Sequence, residues 1–132
     1  MTVVEVALRF IEAINARDVR RLVALLTEDH RFIDSLGHTL EGRALTRPAW
    51  ESYFQMVPDY SIRVTETFER DGVVVLLGTA RGSLAAGGRV LADSAWQTPA
   101  AWRVVVREDG IAEWRVYADN EPIREILRRT SR

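Results

Sequence analysis

The sequence predicts an α+β fold in which a group of helices precedes a largely antiparallel sheet. Apolar residues recur at helical spacing in most of the chain up to Val57, whereas from Tyr60 onward apolar and polar residues alternate as in strands. Two Asp-Gly pairs, Asp71-Gly72 and Asp109-Gly110, are typical of tight hairpin turns. Helices grouped against one face of a curved sheet satisfy this order of elements.

Three helices are predicted in the first part of the chain. Thr2 and Glu5 have the spacing of a capping box, and the apolar residues after them recur at helical spacing: Val4, Leu8, Ile11 and Ile14. Asp18 is the predicted N-cap of a second helix. A third helix is predicted from about Leu45 to Val57, and Pro48 places its start because proline is tolerated in a first turn.

The predicted strands begin with a short hairpin, His30 to Asp34 and His38 to Glu41, around Gly37. Alternation and turn residues then predict longer strands at residues 60–68, 73–84, 94–108 and 111–118. Asn120-Glu121-Pro122 opens a short terminal helix that ends near Arg129. There is no internal repeat, low-complexity segment or linker, so residues 1–132 are predicted to form one domain.

Composition and charge exclude several classes of protein. The 132 residues carry a net charge of −1 with a pI near 6.1, so no positive field is available to hold nucleic acid or an anionic membrane. The chain has no cysteine, and its two histidines are too few for a protein-only zinc site. No apolar run could span a bilayer, and the N-terminus does not resemble a signal peptide. We expect a cytoplasmic protein with no metal and no cofactor, and the arginine-only basic residues predict a bacterial source with a GC-rich genome.

The two central strands are dominated by apolar residues on both faces. In the stretch VVVLLGTA, residues 73–80, both alternate sets of side chains are largely apolar, and Arg103 alone interrupts the run at residues 100–106. An antiparallel sheet normally keeps one face in water. The sequence therefore predicts a homodimer in which a second copy covers the outer face of the sheet around a two-fold axis.

A series of short motifs runs in order along nearly the whole chain. They are the helix pair ending in N-x-x-D, the turn D-S-L-G, the E-G-R that leads into the third helix, and W-R-V-Y-x-D near the last strand. Together they resemble the nuclear transport factor 2-like superfamily, which includes ketosteroid isomerase, limonene epoxide hydrolase and the SnoaL-like polyketide cyclases. The resemblance implies a cone-shaped, curved antiparallel or mixed sheet, with three N-terminal helices packed in its concavity and a short C-terminal helix.

The same resemblance implies a general base. The base of ketosteroid isomerase is an aspartate in a turn that corresponds to I-D-S-L-G, which gives Asp34 this role. Desolvation in an apolar cone raises the basicity of a carboxylate. The alternative is that Asp34 caps the backbone N–H groups of its own turn. His38, across the turn, is a candidate acid or orienting group, and Tyr53 on the third helix is a candidate donor to a ligand oxygen.

The groups that stabilise the enolate in ketosteroid isomerase have no polar counterpart in this alignment. Its two oxyanion donors fall at Phe10 and near Ala100, and its supporting tyrosine falls at Trp50. Loss of one such donor typically costs about 10²–10³ in rate, so steroid isomerisation is disfavoured. The acid of the epoxide hydrolase that follows W-R falls at Val116, which disfavours that reaction as well.

An aromatic lining that suits a flat apolar ligand is predicted for the cone. The predicted ligand-binding residues are Phe10, Phe32, Trp50, Phe54, Trp102, Trp114 and Val116. Thr98 should also point inward, while Asp119 is either a second acid or, like Asn120, a cap of the last helix. His30 is expected at a partly exposed strand start.

Three functions follow from these features, of which the leading one is a SnoaL-like protein that binds a small apolar molecule. As an enzyme it would use Asp34 for proton transfer without a cofactor, in a step of the isomerase, cyclase or hydrolase type. The first alternative is a binding protein without catalysis. The second is a dimeric interaction module whose cone is filled by its own side chains.

Overall fold

The computed structural model describes residues 1–108 and 110–130, so Asp109 of the predicted second hairpin lies outside it. The described elements follow the predicted order. The helices are α1 (Val3–Asn15), α2 (Val19–Ala24), α3 (Arg43–Met56) and α4 (Glu121–Thr130). The strands are β1 (Leu26–Ile33), β2 (Thr39–Glu41), β3 (Ser61–Arg70), β4 (Val73–Gly82), β5 (Ala85–Ala86), β6 (Arg89–Val90), β7 (Trp96–Arg107) and β8 (Gly110–Ala118).

One six-stranded sheet, in the order β2-β1-β8-β7-β4-β3, forms the body of the molecule. β1 runs parallel to β8 and the other neighbouring strands are antiparallel, so the sheet is mixed. The two edge strands, β2 and β3, do not pair with each other, and the curved sheet is therefore an open cone and not a closed barrel. The predicted α+β class, with its mixed cone-shaped sheet, is confirmed.

A bulge in β3 helps to bend the sheet. The register between β3 and β4 shifts between Val64 and Glu66, opposite Gly78. The backbones approach so closely here that a Cβ atom on residue 78 would lie 1.9 Å from the carbonyl oxygen of Arg63. Since bulges bend and twist the strand that carries them, this contact shapes the concave face that the helices cover.

The first helix begins as predicted, and its buried face includes Ile11 and Ile14 of the predicted stripe but extends beyond that stripe. Thr2 accepts the Glu5 backbone N–H at 3.1 Å, and the Glu5 carboxylate accepts that of Thr2 at 3.3 Å, which completes the capping box. Val4 and Leu8 of the predicted stripe are only partly buried. The residues of α1 with no exposed surface are Val6, Ala7, Phe10, Ala13 and Ile14. The alanines carry little hydrophobic signal in the sequence, although they widen the face that packs on the sheet.

The third helix begins earlier than predicted. Gly42, with φ of 94°, is its N-cap, and its N–H donates to the carbonyl oxygen of His30 at 2.7 Å. Because α3 starts at Arg43, Pro48 lies in the second turn and not in the first, and it removes the bond that residue 48 would donate to the Ala44 carbonyl. The prediction that Pro48 marks the first turn was therefore wrong.

The first strand also begins earlier, at Leu26 and not at His30. Its residues pair in parallel with β8, with Leu26 opposite Ile111 and Phe32 opposite Trp114. This long-range pairing has no local signal in the polar segment TED that precedes His30. β1 ends at Ile33, which leaves Asp34 in the turn that follows. Within residues 1–108 and 110–130, no helix is both long and apolar enough to cross a membrane.

Candidate functional site

A cavity of about 230 Å³ lies between α3, the start of α4 and the concave face of the sheet, and it is partly open at its mouth. Sites for drug-sized ligands have volumes of about 300–1,000 Å³, so this cavity is smaller than most of them. Most of the wall is apolar, and it consists of Phe32, Ala49, Trp50, Ala80, Trp96, Ala100, Trp102, Trp114, Val116, Ala118 and Ile123. The polar residues in the wall are Asp34, Ser35, Thr46, Tyr53, Tyr60, Thr98 and Asn120.

The aromatic part of the wall follows from strand alternation and register. Trp102 on β7 lies opposite Val116 on β8, and Trp114 lies opposite Phe32 on β1, so these side chains share the concave face. The rings of Trp102 and Trp114 are stacked with centroids 6.3 Å apart and an interplanar angle of 29°. Trp50 reaches them from α3, and its ring meets Phe32 edge-on at 5.8 Å.

The structure corrects the placement of two predicted ligand-binding residues. Phe32, Trp50, Trp102, Trp114 and Val116 line the cavity, whereas Phe10 and Phe54 do not. Phe10 is fully buried behind the wall, 4.7 Å from the Trp114 ring and 6.1 Å from that of Trp50. Phe54 packs 5.4 Å from Trp50. Both residues support the wall from behind, because they pack against Trp50 and Trp114.

Asp34 lines the cavity at its mouth, but its surroundings differ from the expected ones. Its Oδ1 atom accepts the backbone N–H groups of Leu36 at 2.9 Å and His38 at 3.0 Å. The side chain is 42% exposed, so the carboxylate is not in a dry environment. The expectation of a desolvated base is therefore corrected, and the predicted capping of the turn is present. The capping bonds occupy Oδ1 and do not involve Oδ2.

His38 lies beside Asp34 but outside the cavity. Its Nδ1 atom is 3.4 Å from Oδ2 of Asp34, as expected for residues that face each other across a turn. The His38 side chain is 78% exposed and does not belong to the cavity wall. The predicted role of His38 in polarising a bound ligand thus has no geometric support, and its contact is with the carboxylate alone.

Tyr53 lines the cavity together with a second tyrosine that the sequence analysis did not select. Tyr60, just before β3, meets the Tyr53 ring edge-on, with centroids 5.0 Å apart and planes at 86°. Burial raises the pKa of Tyr53 above its ordinary value of 10.0. Burial, and then the proximity of Tyr53, raises the pKa of Tyr60 as well. Both hydroxyl groups are therefore neutral and protonated across the physiological range.

Two threonines in the wall have their hydroxyl protons engaged by the backbone. Thr46 donates to the Gly42 carbonyl at 2.9 Å, and Thr98 donates to the Asp119 carbonyl at 2.8 Å. Thr98 is 2% exposed, which confirms its predicted inward orientation. These bonds fix the first turn of α3 and the end of β8 around the cavity, and they leave each hydroxyl oxygen as an acceptor.

The start of α4 closes the mouth of the cavity. Asn120, whose side chain donates from Nδ2 to Oγ of Ser35, lines the cavity and ties α4 to the turn that carries Asp34. Asp119 accepts the Glu121 backbone N–H at 2.9 Å and does not line the cavity. Of the two readings of Asp119, the geometry supports the helix-capping one. Asn120 was considered only as a cap, because its partner Ser35 is 85 residues away in sequence.

His30 is buried and not partly exposed as expected. It has no exposed surface, and its Nδ1 atom lies 2.8 Å from the Ile111 carbonyl oxygen, to which it donates. Its Nε2 atom is buried without a hydrogen-bond partner. Burial lowers the pKa of His30 below 6.5, although Glu113 and Asp29 oppose the shift. His30 is thus a neutral core residue, placed by the pairing of β1 with β8, and it does not line the cavity.

Indole N–H groups in the wall are also without partners. Nε1 of Trp50, Trp96 and Trp102 is buried and makes no hydrogen bond in the part of the chain that the structure describes. The two positions aligned with oxyanion donors carry apolar side chains. Phe10 lies behind the wall, and Ala100 forms part of it. Among the described residues, no group of three His, Asp or Glu side chains is arranged to hold a metal ion.

The open cone with its internal cavity defines a nuclear transport factor 2-like fold, of the kind found in ketosteroid isomerase-like and SnoaL-like proteins. The model of the SnoaL-like domain matches residues 7–124, and the chain therefore belongs to this family. No curated protein matches the sequence.

Three solved structures illustrate the similarity of fold. A protein from Shewanella denitrificans, proposed to be a SnoaL-like polyketide cyclase, has a TM-score of 0.82 at 15% identity over 96% of this chain and 97% of its own. IdmH from Streptomyces antibioticus, a proposed polyketide cyclase, has a TM-score of 0.79 at 18% identity over 96% and 99%. A hypothetical protein with a ketosteroid isomerase-like fold from Catenulispora acidiphila, in complex with trimethylamine, has a TM-score of 0.75 at 18% identity over 86% and 84%. At these identities the likeness is one of fold alone.

Proposed function

We propose that the protein binds a small, flat, largely apolar molecule in the cavity and that Asp34 removes a proton from it without a cofactor. The observation that carries this proposal is that Asp34 and the tryptophan wall border the same cavity. A ligand held against Trp102 and Trp114 would present one edge to the mouth, where the carboxylate lies. Membership of the SnoaL-like family, and the proposed cyclases among similar structures, favour an isomerase- or cyclase-type step.

Within Asp34, Oδ2 is the proton acceptor. Two backbone N–H groups already bind Oδ1 and fix the orientation of the carboxylate. Oδ2 has only the imidazole of His38 beside it, at 3.4 Å. His38 touches both this oxygen and solvent, so it is placed to pass the abstracted proton to water.

Proton transfer is tested with α-tetralone, a fused-ring aromatic ketone with exchangeable hydrogens beside the carbonyl group. Oδ2 takes one of these hydrogens, the C–H bond breaks, and the enolate then recovers a deuteron from D₂O. The wild type is expected to accelerate deuterium incorporation, measured by NMR. Asp34→Asn should lose about a hundredfold or more of that rate, in keeping with the contribution of a general base.

The matched control is Asp71→Asn, because Asp71 lies in the β3–β4 hairpin with its side chain 93% exposed. This variant should exchange at the wild-type rate. Equal rates for wild type, Asp34→Asn and Asp71→Asn, with the ketone bound, would end the catalytic proposal.

A second candidate function is binding without catalysis. It is favoured by the exposure of Asp34 and by the apolar residues at the positions of Phe10 and Ala100, where an oxyanion would need donors. This function predicts that Asp34→Asn retains the affinity for α-tetralone while the wild type gives no exchange above buffer. The module with a filled cone is disfavoured, because the cavity beside Asp34 is not filled by side chains.

A second copy of the chain completes the proposed assembly by covering the outer face of the sheet. Phe68 and Tyr117 on that face are 55% and 47% exposed, and Val73, Val75 and Leu77 beside them are only partly buried. Covering such a face removes apolar surface from water. Sedimentation should give a dimer for the wild type and a monomer for Val75→Arg. The cytoplasmic location and the bacterial source stay predictions of the sequence.

A further inference from the structure

We infer that Tyr53 and Tyr60 form a hydrogen-bonding subsite in the wall of the cavity that Asp34 also borders, and that this subsite takes an uncharged oxygen acceptor of the ligand, such as a ketone oxygen. The inference rests on the proposed function, since it concerns the ligand of the same cavity. It specifies that the largely apolar ligand carries an oxygen acceptor.

The two tyrosines are packed together within the cavity wall. Their rings meet edge-on with centroids 5.0 Å apart, and the Tyr60 ring lies 6.0 Å from that of Trp96. Tyr60 is 7% exposed, and Tyr53 is only partly exposed. Across residues 1–108 and 110–130, neither hydroxyl group has a hydrogen-bond partner, although both residues line the cavity. Each hydroxyl proton is therefore available to a ligand acceptor that enters the cavity, and such a hydrogen bond would add to the affinity.

This subsite lies across the sheet from Asp34. Asp34 follows β1 and Tyr60 precedes β3, and the strand order places β8, β7 and β4 between them. At about 4.8 Å for each of the four steps, the path along the sheet is roughly 19 Å. Because both groups border one cavity of about 230 Å³, the curvature of the cone makes the direct path shorter than this, and a carbonyl oxygen at the tyrosines and the carbon beside it at Asp34 can belong to one ligand.

The hydroxyl protons of Tyr53 and Tyr60 favour a ligand that carries a hydrogen-bond acceptor. Burial raises the pKa of both tyrosines, which keeps their hydroxyl groups protonated and able to donate. The hydroxyl protons of Thr46 and Thr98 are already given to backbone carbonyls, so these threonines do not compete as donors. The free hydroxyl protons near the tyrosines can thus be taken by an ether or carbonyl oxygen, which a hydrocarbon does not offer.

The test compares α-tetralone with tetralin, which has the same fused rings but no carbonyl group. Tyr53→Phe and Tyr60→Phe remove one hydroxyl each and keep the ring contacts. Each variant should bind α-tetralone about three- to tenfold more weakly, as expected for one net hydrogen bond, with its Kd for tetralin unchanged in ligand-detected NMR titrations. Tyr117→Phe, which removes an exposed hydroxyl on the outer face, is the matched control and should alter neither Kd.

Infrared spectroscopy gives a second readout that does not depend on small changes in affinity. The carbonyl stretch of ¹³C-labelled α-tetralone should move to lower frequency on binding to the wild type, and this displacement should shrink in each phenylalanine variant. An equal loss of affinity for α-tetralone and for tetralin would overturn the subsite while leaving the proposed function standing. Unchanged affinity for α-tetralone with an unchanged carbonyl frequency would do the same. If neither compound binds the wild type, the proposed function and the subsite both fail. If one variant does not fold, the other decides.

Discussion

The two carboxylate oxygens of Asp34 contact different atoms of His38. The backbone N–H of His38 donates to Oδ1 at 3.0 Å, whereas the imidazole Nδ1 of the same residue lies 3.4 Å from Oδ2. One oxygen therefore holds the turn, and the other lies beside the imidazole. Oδ2, which takes no part in the capping bonds, is the oxygen that the proposed proton transfer would use.

This division predicts that stability and catalysis respond differently to substitution at residue 34. Asp34→Asn keeps an oxygen for the two backbone N–H groups, so its free energy of unfolding should stay within about 0.5 kcal/mol of wild type. Asp34→Ala loses both bonds and should cost about 1–2 kcal/mol, because each net hydrogen bond contributes about 0.5–1.5 kcal/mol. Urea denaturation measures both values. Equal stability of the two variants would show that the turn does not need the carboxylate oxygen.

His30 predicts a loss of stability in mild acid. Its folded-state pKa lies below its ordinary value of 6.5 because of burial, so below pH 6.5 the unfolded chain binds a proton that the folded chain does not. The contribution of neutral His30 to the free energy of unfolding is therefore complete above pH 6.5. It declines as the pH falls toward the folded-state pKa, by at most about 1.4 kcal/mol for each pH unit.

The measurement for His30 is urea denaturation at pH 7.5 and at pH 5.5. Wild type should lose stability between these values, and His30→Asn, which retains a donor for the Ile111 carbonyl but cannot titrate, should lose less. Asp29 and Glu121 also have lowered pKa values, but their titration lies in more acidic solution than this window. The same pH dependence in both proteins would contradict the assignment.

Gly78 predicts a strong local restriction on the sheet. A Cβ atom at this position would lie 1.9 Å from the Arg63 carbonyl oxygen, which is backbone and cannot move aside without disturbing the β3 bulge. Gly78→Ala should destabilise the protein by about 1–3 kcal/mol or more, as overpacking does elsewhere. Gly87→Ala is a comparison at a site with open space, where only the φ of 59° opposes the change. Thermal unfolding that ranks Gly78→Ala as the milder change would refute this account of the bulge.

The elements that the sequence predicts well are those whose signals are local. Thr2 and Glu5 specify the start of α1 within one turn of chain, and alternation from Tyr60 onward marks β3, β4, β7 and β8. Motif order was sufficient for the family resemblance, which the match over residues 7–124 confirms. By contrast, β1 starts early because of pairing with β8, and this contact joins residues that are about 85 positions apart.

Prediction of the site succeeded where strand parity decides and failed where packing decides. Trp102, Trp114 and Thr98 line the cavity because alternate residues of β7 and β8 face inward. Phe10 lies behind the wall because Trp50 and Trp114 cover it, and Tyr60 lies in it because the turn before β3 folds toward α3. Neither fact has a signature in sequence spacing.

The most direct test of the account is whether the cavity is where a small molecule binds. Ala100 lines the cavity from β7, and its neighbour Ala101 faces the outer side of the sheet, so Ala100→Leu fills the cavity and Ala101→Leu adds the same group outside it. The Kd for α-tetralone, measured by NMR titration, should rise by about tenfold or more in Ala100→Leu, about 1.4 kcal/mol of binding free energy, and stay at the wild-type value in Ala101→Leu. Wild-type affinity in a folded Ala100→Leu protein would place the ligand elsewhere and contradict the account.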